Sequence, residues 1–176
     1  MRILIAGLLG GLAMYVWLSV AHMSPLGQIG VHALPGGEAM ITQIADAAGN
    51  KAGLYFVPDH MSAKPSAAVG PFALVSFTPR APTGLSPAQL TFEFLSELVE
   101  ALVAAWLLAQ AALATYGARV GFVTGIGVVA AILAEAPYWN WYSFPLDYSL
   151  VNAAMQIVGF FVAGLVMAWW LKPKAA

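Results

Sequence analysis

Long apolar stretches separated by short polar ones dominate the pattern along this chain. Residues 1–21 carry one charge, on Arg2, and are otherwise almost entirely apolar. Residues 120–136 and 148–171 are similar, and residues 86–116 run through three glutamates into an apolar stretch over residues 101–116. A helix needs about 20 mostly apolar residues to cross the hydrocarbon core of a bilayer, because each residue adds about 1.5 Å along the axis. The pattern therefore predicts four transmembrane helices over these ranges.

The first apolar stretch has a second interpretation, as a secretory signal. Residues 19–21 (Ser-Val-Ala) fit a cleavage site with small residues at its first and third positions. Tyr15 and Trp17, however, suit an interfacial anchor, and a single arginine makes a weak positive region for a signal. We interpret residues 1–21 as a retained transmembrane helix.

Residues 22–85 interrupt the membrane pattern and predict a small folded cap. Residues 37–48 have apolar positions at helical spacing, followed by Gly49 as a stop. Residues 53–57 and 72–78 are rich in aromatic and branched side chains and predict two strands. A two-stranded ribbon is marginal alone, so we expect it to pack on the helix and on the membrane domain. The predicted fold is an all-α integral membrane protein with four transmembrane helices and a small α/β extracytoplasmic cap between the first two.

The basic residues predict how the chain is oriented. Those flanking the predicted helices fall on one side: Arg2, Arg119, Lys172 and Lys174. The loop of residues 137–147, on the other side, contains no lysine or arginine. Because cytoplasmic flanks are enriched in these residues, we expect both termini, including the tail of residues 172–176, in the cytoplasm. A bacterial inner membrane protein with two extracytoplasmic segments, residues 22–85 and 137–147, is the resulting prediction.

Composition narrows the function classes. Hydrophobic residues make up 61% of the chain and charged residues 9%, against about 45–50% and about 25% in soluble domains. This excludes a soluble globule, a disordered chain and a nucleic-acid-binding protein, and makes membrane lipids expected partners. Without cysteine, the chain has no disulfide framework and no thiolate chemistry. No phosphate-binding loop, nucleophile elbow or cofactor motif is present, and the sequence identifies no cofactor.

Carboxylates and histidines are the first candidate site. Glu93, Glu97 and Glu100 share a face of the second predicted helix, with Glu100 and Glu135 expected to lie deeper than the other two. Imidazole and carboxylate groups together suit a transition metal, whereas carboxylates beside an apolar interior can relay protons. An acidic first turn and ordinary loop histidines are the simpler interpretation. The candidate metal ligands are His22, His32, His60, Glu97, Glu100 and Glu135.

Aromatic residues are concentrated in the predicted outer loop. Aromatic belts explain why tryptophan and tyrosine lie at the membrane–water boundary, but they do not explain why this loop contains so many aromatic residues. Because tryptophan and tyrosine dominate binding hot spots, this loop is a candidate surface for a partner, a lipid or a quinone. The residues concerned are Tyr138, Trp139, Trp141, Tyr142 and Phe144.

Small and amide side chains recur at intervals of four residues. Small residues allow helices to approach closely in lipid, and side-chain amides there need a partner. These positions predict helix-packing seams, within the chain or toward other subunits: Gly7, Gly11, Gly117, Gly121, Gly125, Asn152 and Gln156. The leading hypothesis is a non-catalytic accessory, assembly or stabilising subunit of a larger membrane complex. The alternatives are a protein that handles a metal ion or protons, and one that binds a lipid or quinone.

Overall fold

A computed structural model describes residues 1–59, 70–80 and 84–172. These residues are mostly helical and form two compact units, one of Met1–Val31 with the chain from Leu85 onward and one of His32–Gly84. The helices are α1 (Arg2–Met23), α2 (Gly37–Ala47), α3 (Pro87–Gln110), α4 (Tyr116–Tyr142) and α5 (Leu146–Trp170), and the strands are β1 (Gly53–Val57) and β2 (Ala73–Phe77).

Among the described residues, three helices are long and apolar enough to cross a membrane. They are α1, α4 and α5, with mean hydropathies of 2.1, 1.8 and 2.0. These three helices suggest a multi-pass membrane protein. The predicted span over residues 86–116 is not among them, because Glu93, Glu97 and Glu100 lie in the middle of α3.

The connection between α3 and α4 differs from the prediction. Helix α3 ends at Gln110 and α4 begins at Tyr116, so residues 117–119, which separate the two predicted helices, instead belong to the first turn of α4. The reason is the Thr115 hydroxyl, which accepts a hydrogen bond from the Ala118 backbone N–H at 3.2 Å. This N-cap satisfies a donor that the start of a helix otherwise leaves unpaired.

Helix α4 also continues into the predicted outer loop. It passes through Pro137 and ends at Tyr142, so only residues 143–145 connect it to α5. The proline lies in the last two turns, where losing one backbone hydrogen bond leaves little helix to disrupt. Ser143 ends the helix in the left-handed conformation (φ 56°), and the Phe144 N–H donates to the Tyr138 carbonyl at 3.3 Å.

The four helices of the first unit pack in the order α3, α1, α5, α4. Glycines set the separations: a β-carbon added at Gly7 would lie 2.9 Å from the Leu102 Cα in α3. On the other side of α1, one added at Gly10 would lie 2.5 Å from the Met167 Cε in α5. The Trp17 indole N–H donates to the Met155 carbonyl at 2.9 Å and further joins α1 to α5.

The second unit agrees with the predicted helix and strands. Strands β1 and β2 pair antiparallel, with Tyr55 opposite Val75 in the register. Helix α2 ends near Gly49, whose positive φ (58°) makes it a suitable stop. Most of the predicted connection between the strands, residues 60–69, lies outside the described residues.

Candidate functional site

Glu97 is the most unusual polar residue of the first unit. Its side chain is 4% exposed, and neither carboxylate oxygen has a hydrogen-bond partner among the residues that the structure describes. It begins the buried face of α3, which continues through Ala101, Ala104, Ala105 and Leu108. One turn before it, the Phe94 ring meets the Tyr15 ring of α1 edge to face, with centroids 5.2 Å apart. A carboxylate is therefore placed at the start of an otherwise apolar helix contact.

The two neighbouring glutamates have a different environment. Glu93 and Glu100 are exposed, and both are close enough to Glu97 for like-charge repulsion. The sequence led us to expect Glu100, rather than Glu97, to be the deeper residue. The spacing of the three glutamates predicts that they share one face of the helix. It does not predict which part of that face α1 covers.

Glu135 belongs to a separate site. It is half-buried on α4 and interacts with the Ser149 hydroxyl of α5. That hydroxyl is buried and makes no hydrogen bond of good geometry to a described residue. Because α3 and α4 lie at opposite ends of the packing order, Glu135 and Glu97 are on helices that make little contact.

The candidate metal ligands are not brought together in the described part of the chain. Within it, no group of three or more histidine, aspartate or glutamate side chains is placed to hold a metal ion. His22 Nδ1 is 2.9 Å from the Leu18 carbonyl, one turn earlier in α1. His32 is exposed in the second unit, and His60 lies outside the described residues. The metal site remains a prediction.

Aromatic side chains form a cluster where α4 meets α5. The Tyr138 ring lies 5.6 Å from the Tyr142 ring and 5.1 Å from the Phe144 ring, measured between centroids. Trp139 and Trp141, on the same stretch of α4, project outward, and Trp141 is 72% exposed. The predicted aromatic surface therefore combines a packed cluster with two exposed indoles.

The predicted packing seams have different surroundings. Gly7 and Gly11 lie against α3. The Asn152 amide donates to the Tyr148 carbonyl of its own helix at 2.8 Å, and Gln156 is half-buried. Two further close contacts, Gly127 with Phe160 and Gly164 with Val123, were not identified from the sequence, although glycine in a long apolar helix is a visible signal.

A face of α4 formed by Gly117, Gly121 and Gly125 is uncovered; we refer to it as the α4 glycine face. Apart from the helix's own backbone and the two chain neighbours of each glycine, no atom of the described residues lies within 4 Å of where a β-carbon would stand at these positions. The glycines line a groove of about 670 Å³ between α4 and α5, together with apolar side chains that include Val128, Phe161 and Leu165.

Basic residues line a cavity of about 820 Å³ at the opposite end of the unit from the aromatic cluster. We refer to it as the basic cavity. Arg2 at the start of α1, Arg119 in the first turn of α4 and Lys172 after α5 all contribute to its wall. In the sequence these residues predict one side of a membrane, but their spacing does not predict a common site.

Comparison with known proteins supplies no relative for this chain. No protein-family model, no curated protein and no solved structure matches it.

Proposed function

We propose that this protein is a non-catalytic accessory, assembly or stabilising subunit of a larger membrane protein complex. The observation that supports this most is the uncovered α4 glycine face. Lipid tails fill a glycine groove poorly, whereas the backbone of another helix can approach it closely and gain dispersion contacts. The proposed occupant is a transmembrane helix of a different subunit.

The exposed indoles support the same proposal. Trp139 and Trp141 lie at the other end of α4 from Gly117. Tryptophan is enriched among the residues that dominate protein interfaces, and it also suits the membrane–water boundary. A partner that packs along α4 can contact both the glycines and the indoles.

The proposed setting is a bacterial inner membrane, with both termini in the cytoplasm and α3 as a fourth span. The common position of Arg2, Arg119 and Lys172 supports this orientation. A fourth span also fits the order of packing, because α3 lies alongside α1, which is itself long and apolar enough to cross. The glutamates of α3 then lie at membrane depth, where ionisable groups commonly face protein or water rather than lipid.

Gly121→Leu is expected to remove the partner while leaving the chain folded. The wild-type protein, extracted from its native membrane in mild detergent, should migrate on native gels with larger partners. The leucine variant should migrate as the isolated chain, because its side chain occupies the groove, while its β-carbon has no atom of another described element within 4 Å. A wild-type protein that runs as a monomer under the gentlest extraction would contradict the proposal.

Leu133→Phe is the matched control for this experiment. Leu133 is exposed on the same helix and lies about 120° around the axis from Gly121, given 3.6 residues per turn. It also enlarges an exposed side chain, but away from the glycine face. Equal loss of the partner in both variants would show that the glycine face is not the contact.

Glu97 favours a second candidate function, the handling of protons. A carboxylate that is 4% exposed and unpaired among the described residues is uncommon, because leaving a buried polar group unpaired costs free energy. Intramembrane carboxylates frequently serve proton pathways. In vesicles that contain the purified protein and a pH-sensitive dye, Glu97→Gln should slow proton entry while Glu100→Gln leaves it near the wild-type rate. Equal rates in empty and protein-containing vesicles would rule this function out.

A further inference from the structure

The basic cavity contains a cation, Arg119, that no residue described by the structure neutralises. Arg119 is 5% exposed and lines the cavity. Its side chain makes no ion pair or hydrogen bond with another residue of the described ranges. Arg2, a cation of the same sign, is close enough to Arg119 to repel it. Because the Arg119 side chain faces the cavity without a counter-charge among the described residues, an anion that enters the cavity and supplies one would be bound favourably.

The wall of the cavity is strongly biased toward positive charge. Arg2 and Lys172 are exposed at its rim, and no aspartate or glutamate is found among its described lining residues. The carbonyl ends of α3 and α5 point toward this end of the unit and supply partial negative charge. The amino-terminal ends of α1 and α4 supply partial positive charge there. The partial charges of the helix ends therefore largely cancel, and the charge of the cavity wall is that of the three cationic side chains.

The position of the cavity identifies the class of anion. It lies where α1 and α4 begin and α3 and α5 end, and three of these helices are long and apolar enough to cross a membrane. The ends of such helices are at the depth of lipid headgroups. A guanidinium binds phosphate through two parallel hydrogen bonds, and basic pockets between transmembrane helices are known to accept phospholipid headgroups.

We propose that the basic cavity is a phosphate-binding site, with Arg119 as the buried contact and Arg2 and Lys172 at the rim. The phosphate belongs either to an anionic phospholipid headgroup or to a soluble phosphate. This site is independent of the α4 glycine face and of the proposed role as a subunit.

The test measures binding of two probes to the purified full chain in detergent. Dioleoyl phosphatidic acid is titrated and followed by native mass spectrometry, with phosphatidylcholine as the neutral lipid. Inorganic phosphate is titrated by calorimetry. We expect one equivalent of phosphatidic acid to bind more tightly than phosphatidylcholine, and Arg119→Gln to weaken binding by about tenfold or more through loss of a charged hydrogen bond. If inorganic phosphate binds with the same dependence on Arg119, the source is a soluble phosphate; if only the lipid does, it is a headgroup.

The control variants distinguish binding at the basic cavity from non-specific attraction between an anion and the positive charges of the chain. Lys51→Gln removes one positive charge from the second unit and should leave binding unchanged. Arg2→Gln and Lys172→Gln alter exposed residues and keep the test valid if Arg119→Gln does not fold; each should weaken binding about threefold, because exposed charges contribute less than buried ones. Failure of both probes to bind, or binding that is the same in the cavity variants as in wild type, would overturn the proposal.

Discussion

Replacing Gly127 with leucine is expected to lower the free energy of unfolding of the first unit by about 3 kcal/mol or more, at the upper end of the cost of overpacking a core. A β-carbon at this position would lie 2.5 Å from the Phe160 Cβ and 2.8 Å from its Cγ. A Cβ is fixed to the backbone and cannot rotate away, so α4 and α5 must separate to accommodate any side chain. The loss should appear in thermal or denaturant unfolding of the purified chain in detergent, followed by tryptophan fluorescence.

Gly121→Leu is the control for this experiment because it makes the same chemical change on the same helix. Its new side chain meets no other described residue within 4 Å of the β-carbon. Its unfolding transition should stay close to that of the wild type or rise slightly, since leucine has a higher helix propensity than glycine. Equal destabilisation in the two variants would mean that helix propensity or lipid solvation, rather than contact with Phe160, controls stability at α4.

Glu97→Leu is expected to stabilise the isolated chain by about 1–3 kcal/mol, the usual cost of a buried polar group without a partner. The substitution removes a carboxylate whose oxygens make no hydrogen bond to the described residues. It also relieves repulsion with Glu93 and Glu100. The leucine would continue the apolar face formed by Ala101 and Leu108. The measurement is again the unfolding transition in detergent.

Glu100→Leu provides the comparison, because Glu100 is exposed on the same helix. Surface substitutions usually change stability by less than about 0.5 kcal/mol, so this variant should unfold almost as the wild type does. A destabilised Glu97→Leu variant would mean that the carboxylate has a stabilising partner and would contradict the environment described above. A stabilised variant that no longer admits protons to vesicles would identify Glu97 as a residue kept for function at the expense of stability.

The elements that could be predicted from the sequence are those specified locally. The apolar run of α1 and the branched and aromatic residues of β1 and β2 define these elements without reference to the rest of the chain. The break after Gln110 was missed because residues 111–114 are as apolar as the helix before them. The signal that could have placed the break is Thr115, a favourable N-cap that starts the next helix.

The surroundings of the candidate site residues could not be predicted from the periodicity of the sequence. Spacing places Gly117, Gly121 and Gly125 on one face and Glu93, Glu97 and Glu100 on another. It does not specify which face a neighbouring helix covers. Covering α3 with α1 buries Glu97, and packing α5 on Gly127 leaves Gly121 open. Likewise, Arg119 becomes a candidate ligand-binding residue only when the ends of four helices meet around it.

The packing order has a consequence for how the chain folds. Helices α4 and α5 are separated by residues 143–145 and form a local hairpin. Helix α1, in contrast, packs between α3 and α5, although it precedes them in the chain by many residues. Contacts distant in sequence require closure of long loops, so they form later than local ones. Helix α1 therefore acquires its full set of neighbours only after α5 has been synthesised, and until then the Gly10 side of α1 must be covered by lipid or by another protein.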